Sequence, residues 1–449
     1  MSRDRSETET ESESPETSTP RPPRRTHPDR NPNRRPGRRP ANRGRGITAP
    51  PDIEPIEVTI ERIVGDGKGI GFHDGQTVFI PETVPGDRIM AKVRSHRGKV
   101  MQAQILEILE PSPQRVEAPC PYFSVCGGCD FQQFSYEDQL ATKVTMTQDS
   151  LRRIGKIDPM PEIAMTASPN PLEYRSRAEW QLDQKQRKVG YFMANSHQVV
   201  DIETCPIVTA NLNTLLGTLR EDFAAGMVSR QAFEYRGVEG DVGLTLEPTG
   251  ATRSQLIMRT VGGKLFRYNA ECFFQPNIPI AERLLERVLE IADVAMEESE
   301  LAIDLYSGVG LFTAHLADRF SRVIGVEVDK TSTKFAGENT GADDEDTNVR
   351  IITTPVEQWI AEDRSAMGKV SLVVFDPPRA GAGTKVIEGM IRLNPTHIAA
   401  VSCDPATFAR DVRGLLDGGY ELVSVDAFDM FPQTHHVELV GHLQRSDAA

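Results

Sequence analysis

His397-Ile398-Ala399-Ala400-Val401-Ser402-Cys403-Asp404-Pro405 reads as a buried strand that stops at a thiol, an acid and a helix-opening proline. Two more apolar runs end in the same manner. Residues 371–375 run into Asp376-Pro377-Pro378-Arg379, and residues 421–428 lead to Phe431-Pro432-Gln433-Thr434-His435-His436-Val437-Glu438. A thiol and two carboxylates are therefore expected along one edge of one sheet, the edge at which open α/β sheets bind ligands.

Working outward, the hydrophobic period changes near Ile280. Ala281, Leu284, Leu285, Val288, Leu289 and Ala292 fall on one helical stripe, and β and α segments then alternate to the end. Seven strands are expected, at 301–306, 322–328, 350–354, 371–375, 397–402, 421–428 and 436–443. The pattern predicts a doubly wound, Rossmann-like α/β sheet. Its last strand should be antiparallel, because only a hairpin-length link precedes it.

Asp304-Leu305-Tyr306-Ser307-Gly308-Val309-Gly310 follows the first of these strands and opens a helix. Thr313 stands where a third glycine would complete a dinucleotide fingerprint, so the glycines alone say little. Glu327, nineteen residues after Gly308, ends the second strand, where a carboxylate accepts ribose hydroxyls. With no pyrophosphate cradle, a nucleoside-type ligand such as S-adenosylmethionine fits better than NAD. The prolines after Asp376 remove backbone donors and stiffen its loop. Amino-group methyltransferases carry Asn-Pro-Pro-aromatic here; Asp376 and Arg379 replace the Asn and the aromatic, which disfavours amine methylation.

Cys403 precedes a helix start, where amide donors are expected to lower a thiol pKa. A thiolate beside a methyl donor suggests addition to an electron-poor ring carbon, and in uracil that carbon is C6. C5 then becomes the nucleophile for the methyl group, and a base removes its proton. Glu438 is the candidate base, with Glu357 and Asp429 as weaker alternatives.

The chain has 449 residues, enough for two or three domains, and a net charge of -14 that argues against a uniformly basic nucleic-acid binder. Residues 21–46 nevertheless hold ten Arg against one Asp, and this Pro-rich block with the acidic stretch before it cannot bury enough surface to order itself. Residues 1–52 are expected to be a disordered tail that either solvates or grips phosphates. Residues 53–113 read as a small OB-type β-barrel, with Arg88, Lys92, Arg94, His96, Arg97 and Lys99 on one hairpin. Residues 114–279 read as a mostly antiparallel sheet domain with one helix at 210–224, and Arg175 and Arg177 share a strand face that could reach substrate. Cys120, Cys126, Cys129 and Cys205 offer four soft ligands. These suit zinc or an iron-sulfur cluster, and three clustered ligands with one remote favour the cluster. Residues 280–449 form the remaining domain. No leading apolar segment or membrane-length apolar run is present, so a cytoplasmic protein with reduced thiols and no membrane partner is expected.

Taken together, Cys120-x5-Cys126-Gly-Gly-Cys129 with Cys205, Phe274-Gln275-Pro276-Asn277, Asp304-Leu-Tyr-Ser-Gly308, Asp376-Pro-Pro-Arg379, Ser402-Cys-Asp-Pro405 and the 429–438 run resemble the RNA uracil-C5 methyltransferases, in particular the bacterial branch acting on 23S ribosomal RNA. The resemblance covers the chain from about Ile53 onward. It implies a TRAM domain at 53–113, a 4Fe-4S cluster on the four cysteines, and a S-adenosylmethionine site lined by Gln275, Tyr306, Glu327 and Asp376. It also implies Cys403 as nucleophile and Glu438 as proton acceptor, on a uridine flipped out of structured RNA. A transfer-RNA T-loop target and a non-catalytic RNA-binding or assembly factor are the competing readings, and a monomer is expected. Leu311 departs from the polar residue some relatives carry, the Arg-rich tail lies outside the shared pattern, and Cys272 reads as core.

Overall fold

A computed structural model of the protein describes residues 53–251, 254–296 and 300–446; the tail expected at 1–52 lies outside them. The first unit comprises β1 (Ile56–Thr59), β2 (Arg62–Ile63), β3 (Gly69–His73), β4 (Gln76–Ile80), β5 (Arg88–Arg97) and β6 (Val100–Glu110), ordered β1-β5-β6-β4-β3-β2. β1 pairs with β5 while its continuation β2 pairs with β3, and the Ile60 and Glu61 amides donate to Asp87 and Ile70 carbonyls, both at 2.9 Å. The two ends of the sheet thus meet at Ile60 and Glu61. Alternating Ile56, Val58, Ile89, Ala91 and Val93 fill its interior. A Cβ on Gly71 would lie 2.5 Å from the Thr59 carbonyl, so this close strand approach requires glycine. Arg88, expected among the RNA-facing cations, is instead held by Glu57 and Glu110.

Next come α1 (Tyr136–Arg153), β7 (Ile163–Thr166), β8 (Arg177–Asp183), β9 (Lys188–Phe192), β10 (Val199–Asp201), α2 (Ala210–Ala225), β11 (Glu234–Glu239) and β12 (Leu244–Pro248). Ser135 caps α1 by accepting from the Asp138 amide, and Thr209 caps α2 by accepting from that of Leu212. The five strands β10-β9-β8-β11-β12 form an antiparallel sheet. Trp180 is buried in it, and α2 covers it with Leu212, Leu216, Leu219 and Phe223. The helix matches the expected 210–224. The alternating segment near 254–260 does not join this sheet; it forms a separate hairpin, β13 (Ile257–Val261) with β14 (Lys264–Tyr268).

The remaining elements are α3 (Ile278–Ala295), β15 (Leu301–Leu305), α4 (Leu311–Leu316), β16 (Arg322–Glu327), α5 (Lys330–Thr340), β17 (Val349–Thr353), α6 (Val356–Trp359), β18 (Leu372–Phe375), α7 (Thr384–Leu393), β19 (His397–Ser402), α8 (Pro405–Asp417), β20 (Tyr420–Phe428) and β21 (Glu438–Arg445). All seven expected strands occur, in the order β17-β16-β15-β18-β19-β21-β20-β7. β21 runs antiparallel to β19 and β20, and the other pairings are parallel. The eighth strand, β7, comes from a segment assigned by sequence to the central domain, and its helix α1 packs against α8. Four residues with weak alternation gave no signal that they would extend a distant sheet. The chain turns outward from β15 in both directions, which opens a crevice above β15 and β18. Because β21 is antiparallel and Leu439 pairs with Ser402, Glu438 arrives at the edge where β19 delivers Cys403. No helix among the described residues is long and apolar enough to cross a membrane.

Candidate active site

A cavity of about 1020 Å³ lies over that edge, and Gln275, Tyr306, Glu327, Asp376, Cys403 and Glu438 all line it. Tyr306 leaves β15 with a left-handed φ of 65°, and Gly308 and Gly310 follow at 54° and 90°, so the chain turns sharply into α4. Glu327 is fixed by three amides. Its Oε2 accepts from Gly308 at 3.1 Å, and its Oε1 accepts from Val328 at 2.7 Å and Asp329 at 2.8 Å. Thr313, at the missing third glycine, donates from its amide (3.0 Å) and its hydroxyl (2.6 Å) to Asp304 Oδ2. Burial pushes the Asp304 carboxyl up to about 7. The Gln275 side-chain oxygen is buried in the cavity wall without a partner, an acceptor left for a ligand donor.

Glu438 is a buried carboxyl and Asp376 a half-buried one. Burial lifts Asp376 to about 7, and it lifts Glu438 well above the usual carboxylate range, with the Asp376 charge adding to the effect and Arg379 opposing it. Cys403 corrects the expectation of a lowered thiol pKa: burial, then Glu438 and Asp376, push it up to about 12. The donor at the start of α8 is taken by the neighbouring N-cap, Asp404, whose Oδ1 accepts from the Thr407 amide at 2.8 Å. Of the alternative bases, Glu357 does line the cavity. Asp429 is fully buried between Lys143 Nζ (2.5 Å) and the Tyr136 hydroxyl (2.7 Å), in a structural ion pair away from the cavity lining.

Cys120, Cys126, Cys129 and Cys205 line another wall of the same cavity. Burial raises the Cys126 thiol to about 11 and also raises Cys129 and Cys205, with the neighbouring sulfurs adding to each. The Gly128 amide bonds to Cys126, and the Ile207 and Val208 amides bond to Cys205. Among the described residues, no three His, Cys, Asp or Glu side chains are grouped to hold a single metal ion. Arg175 lines the cavity. Arg177 lines it too but donates to the Cys272 carbonyl (2.5 Å) and the Ala270 carbonyl (2.7 Å), bracing the backbone just before Phe274 and Gln275. Both therefore reach the cavity as expected, although β8 itself begins only at Arg177 and Arg175 lies in a bridge to Val208. Cys272 is buried in the core, as expected.

The sequence reading overlooked the groups that hold the 429–436 loop. The Asp130 and Phe131 amides donate to the Gln433 carbonyl, and the Asp130 carboxylate accepts from the His435 amide at 2.8 Å and pairs with its Nδ1 at 2.5 Å. The segment just after Cys129 is thereby tied to the one just before Glu438. No periodic signal marks such contacts, because their partners lie about 300 residues apart in the chain.

A profile of the tRNA (Uracil-5-)-methyltransferase family matches residues 257–446. The chain is 31% identical over 422 residues to a 23S rRNA (uracil(1939)-C(5))-methyltransferase of Pseudomonas putida, covering 84% of this chain and 91% of that one. It is 32% identical over 437 residues to an uncharacterized RNA methyltransferase of Streptomyces avermitilis, covering 87% and 98%. Its fold resembles that of the Pyrococcus abyssi tRNA (uracil-54, C5)-methyltransferase, solved with S-adenosyl-L-homocysteine, with a TM-score of 0.66 and 24% identity over 86% of this chain and 100% of that one. A thiol, paired carboxyls and a nucleoside-type crevice on a methyltransferase sheet agree with these likenesses, and the chain belongs to the RNA (uracil-5-)-methyltransferase family.

Proposed function

We propose that the protein methylates C5 of a uridine in 23S ribosomal RNA, with Cys403 as nucleophile and Glu438 as proton acceptor. The observation that carries this reading is the convergence of Cys403, Asp376 and Glu438 on one cavity with Gln275, Tyr306 and Glu327. Glu327, Gln275, Tyr306 and Asp376 would hold S-adenosylmethionine: the amide-fixed carboxylate suits ribose hydroxyls, and the unpartnered Gln275 oxygen suits a ligand amine or hydroxyl. When bound, that group supplies an electrophilic methyl. Once its thiol proton has been lost to solvent, the Cys403 sulfur adds to C6 of the flipped uracil, and the C5–C6 π pair moves to make C5 nucleophilic. C5 takes the methyl, Glu438 removes the C5 proton, and the C6–S bond breaks to restore the ring and the thiolate. Burial, with the Asp376 charge adding to it and Arg379 opposing it, raises the pKa of ionised Glu438 and so favours its holding the proton it takes.

The 53–113 barrel is read as a TRAM domain that holds flanking RNA, and 280–449 as the catalytic domain. Cys120, Cys126, Cys129 and Cys205, in the 114–279 domain, would hold a 4Fe-4S cluster. Their shared wall and the amides directed at their sulfurs support this, since such hydrogen bonds tune clusters. The reaction is redox-neutral, so the cluster's role is structural or RNA-positioning. The 23S target is supported by the 31% relative from Pseudomonas putida.

Methylation of 23S rRNA and tRNA transcripts, with 5-methyluridine located by mass spectrometry, tests the substrate. Product in 23S rRNA is expected, and product in tRNA alone overturns the assignment. With 5-fluorouridine RNA and S-adenosylmethionine, the wild-type protein should form a covalent adduct that Cys403→Ala abolishes and Glu438→Gln retains. An adduct surviving in Cys403→Ala removes the nucleophile assignment.

A further inference from the structure

Helix α1 turns Tyr136, Gln139 and Lys143, three and four residues apart, toward a single loop. That loop, 429–433, carries the chain from β20 toward Glu438. The Tyr136 hydroxyl donates to Asp429 Oδ2 at 2.7 Å. Lys143 Nζ donates to Asp429 Oδ1 at 2.5 Å and to the Phe431 carbonyl at 3.1 Å. Gln139 and Gln433 exchange two bonds: the Gln433 amide donates to Gln139 Oε1 at 2.9 Å, and Gln139 Nε2 donates to Gln433 Oε1 at 3.0 Å. Lys143 and Asp429 are wholly buried, and Gln139 nearly so.

A buried ion pair adds little net stability over an apolar pair of the same volume. What these five bonds do supply is one geometry for a loop with no regular structure of its own. The loop needs it, because its far end decides where Glu438 enters β21 relative to Cys403 at the end of β19. We propose that the polar face of α1, Lys143 foremost, is a positioning device for the base: through Asp429, the Phe431 carbonyl and Gln433 it sets the direction of Glu438 across the cavity. This rests on the reading of Glu438 as proton acceptor.

The test uses the full-length protein on a uridine-containing RNA substrate. Lys143→Met is expected to lower kcat by about 10²-fold, the scale of a misplacement of about 1 Å. The KM for RNA and the Kd for S-adenosylmethionine should stay at wild-type values. The covalent RNA adduct should accumulate, because addition proceeds while proton removal and release slow. Gln139→Leu, which strands no buried charge, should show the same split to a smaller degree and serves where Lys143→Met does not fold. Wild-type release rates in the folded variants, with only a lowered Tm, overturn the proposal. Glu438→Gln separates this from failure of the underlying reading. If it turns over normally, the base assignment falls; if it arrests with adduct while the α1 variants release normally, only the positioning falls.

Discussion

Cys403 stands among carboxyls, and this sets its reactivity in the free protein. An ordinary cysteine titrates near 9, whereas burial first and then Glu438 and Asp376 raise Cys403 to about 12. A nearby anion disfavours the thiolate, so removing one must lower the thiol pKa. Cys403 is therefore expected to alkylate slowly with iodoacetamide at mildly alkaline pH, and faster in Glu438→Gln. An unchanged rate would mean that the 438 carboxyl does not face the sulfur. Both residues were legible as an apolar strand ending in a thiol and a carboxylate after a turn. The direction of the pKa shift was not, because the helix-start argument took no account of Asp404 occupying the cap or of how deep the thiol lies.

Elements from separate parts of the chain build the cysteine wall. Cys205 follows the β9–β10 hairpin, which is packed so tightly that a Cβ on Gly190 would lie 2.1 Å from the Val200 carbonyl. Asn213 on α2 then accepts from the Cys205 amide at 2.8 Å. Cys120, Cys126 and Cys129 arrive on the loop before α1, where Gln132 Oε1 accepts from the Cys120 amide at 3.1 Å. The backbone at Cys120 and Cys205 is thus fixed by side chains from outside the cysteine set. Protein purified without oxygen is expected to be brown with about four irons per chain, and Cys205→Ser should lower that content. Zinc in place of iron would reverse the cluster assignment. The cysteine spacing announced this wall. Alternation placed Arg175 and Arg177 toward the cavity they both line but could not say that β8 begins only at Arg177, and β7 was missed because four residues carry too little pattern.

At the scale of the molecule, a chain of net charge -14 must bind a polyanion. Lys92, Arg94, Arg97 and Lys99 are exposed on the β5–β6 hairpin, and no carboxylate among the described residues is within ion-pair distance of them. Replacing all four with Gln should raise the KM for RNA and leave kcat unchanged. The slope of log K against log salt should become shallower by about 3 if each holds one phosphate of unpaired RNA. A slope equal to wild type would place the RNA elsewhere. The sequence alone determined that a small all-β unit comes first, the strands of the doubly wound sheet, and the thiol and carboxyls that meet at its edge, since hydrophobic period and strand-end chemistry are local properties of the chain. Only the tertiary structure decided that β7 and α1 join the catalytic layer, that Asp429 is bound to Lys143 and is no base, and that the thiol sits among carboxyls. Burial and partners nearly 300 residues away set those outcomes, and no local pattern encodes them.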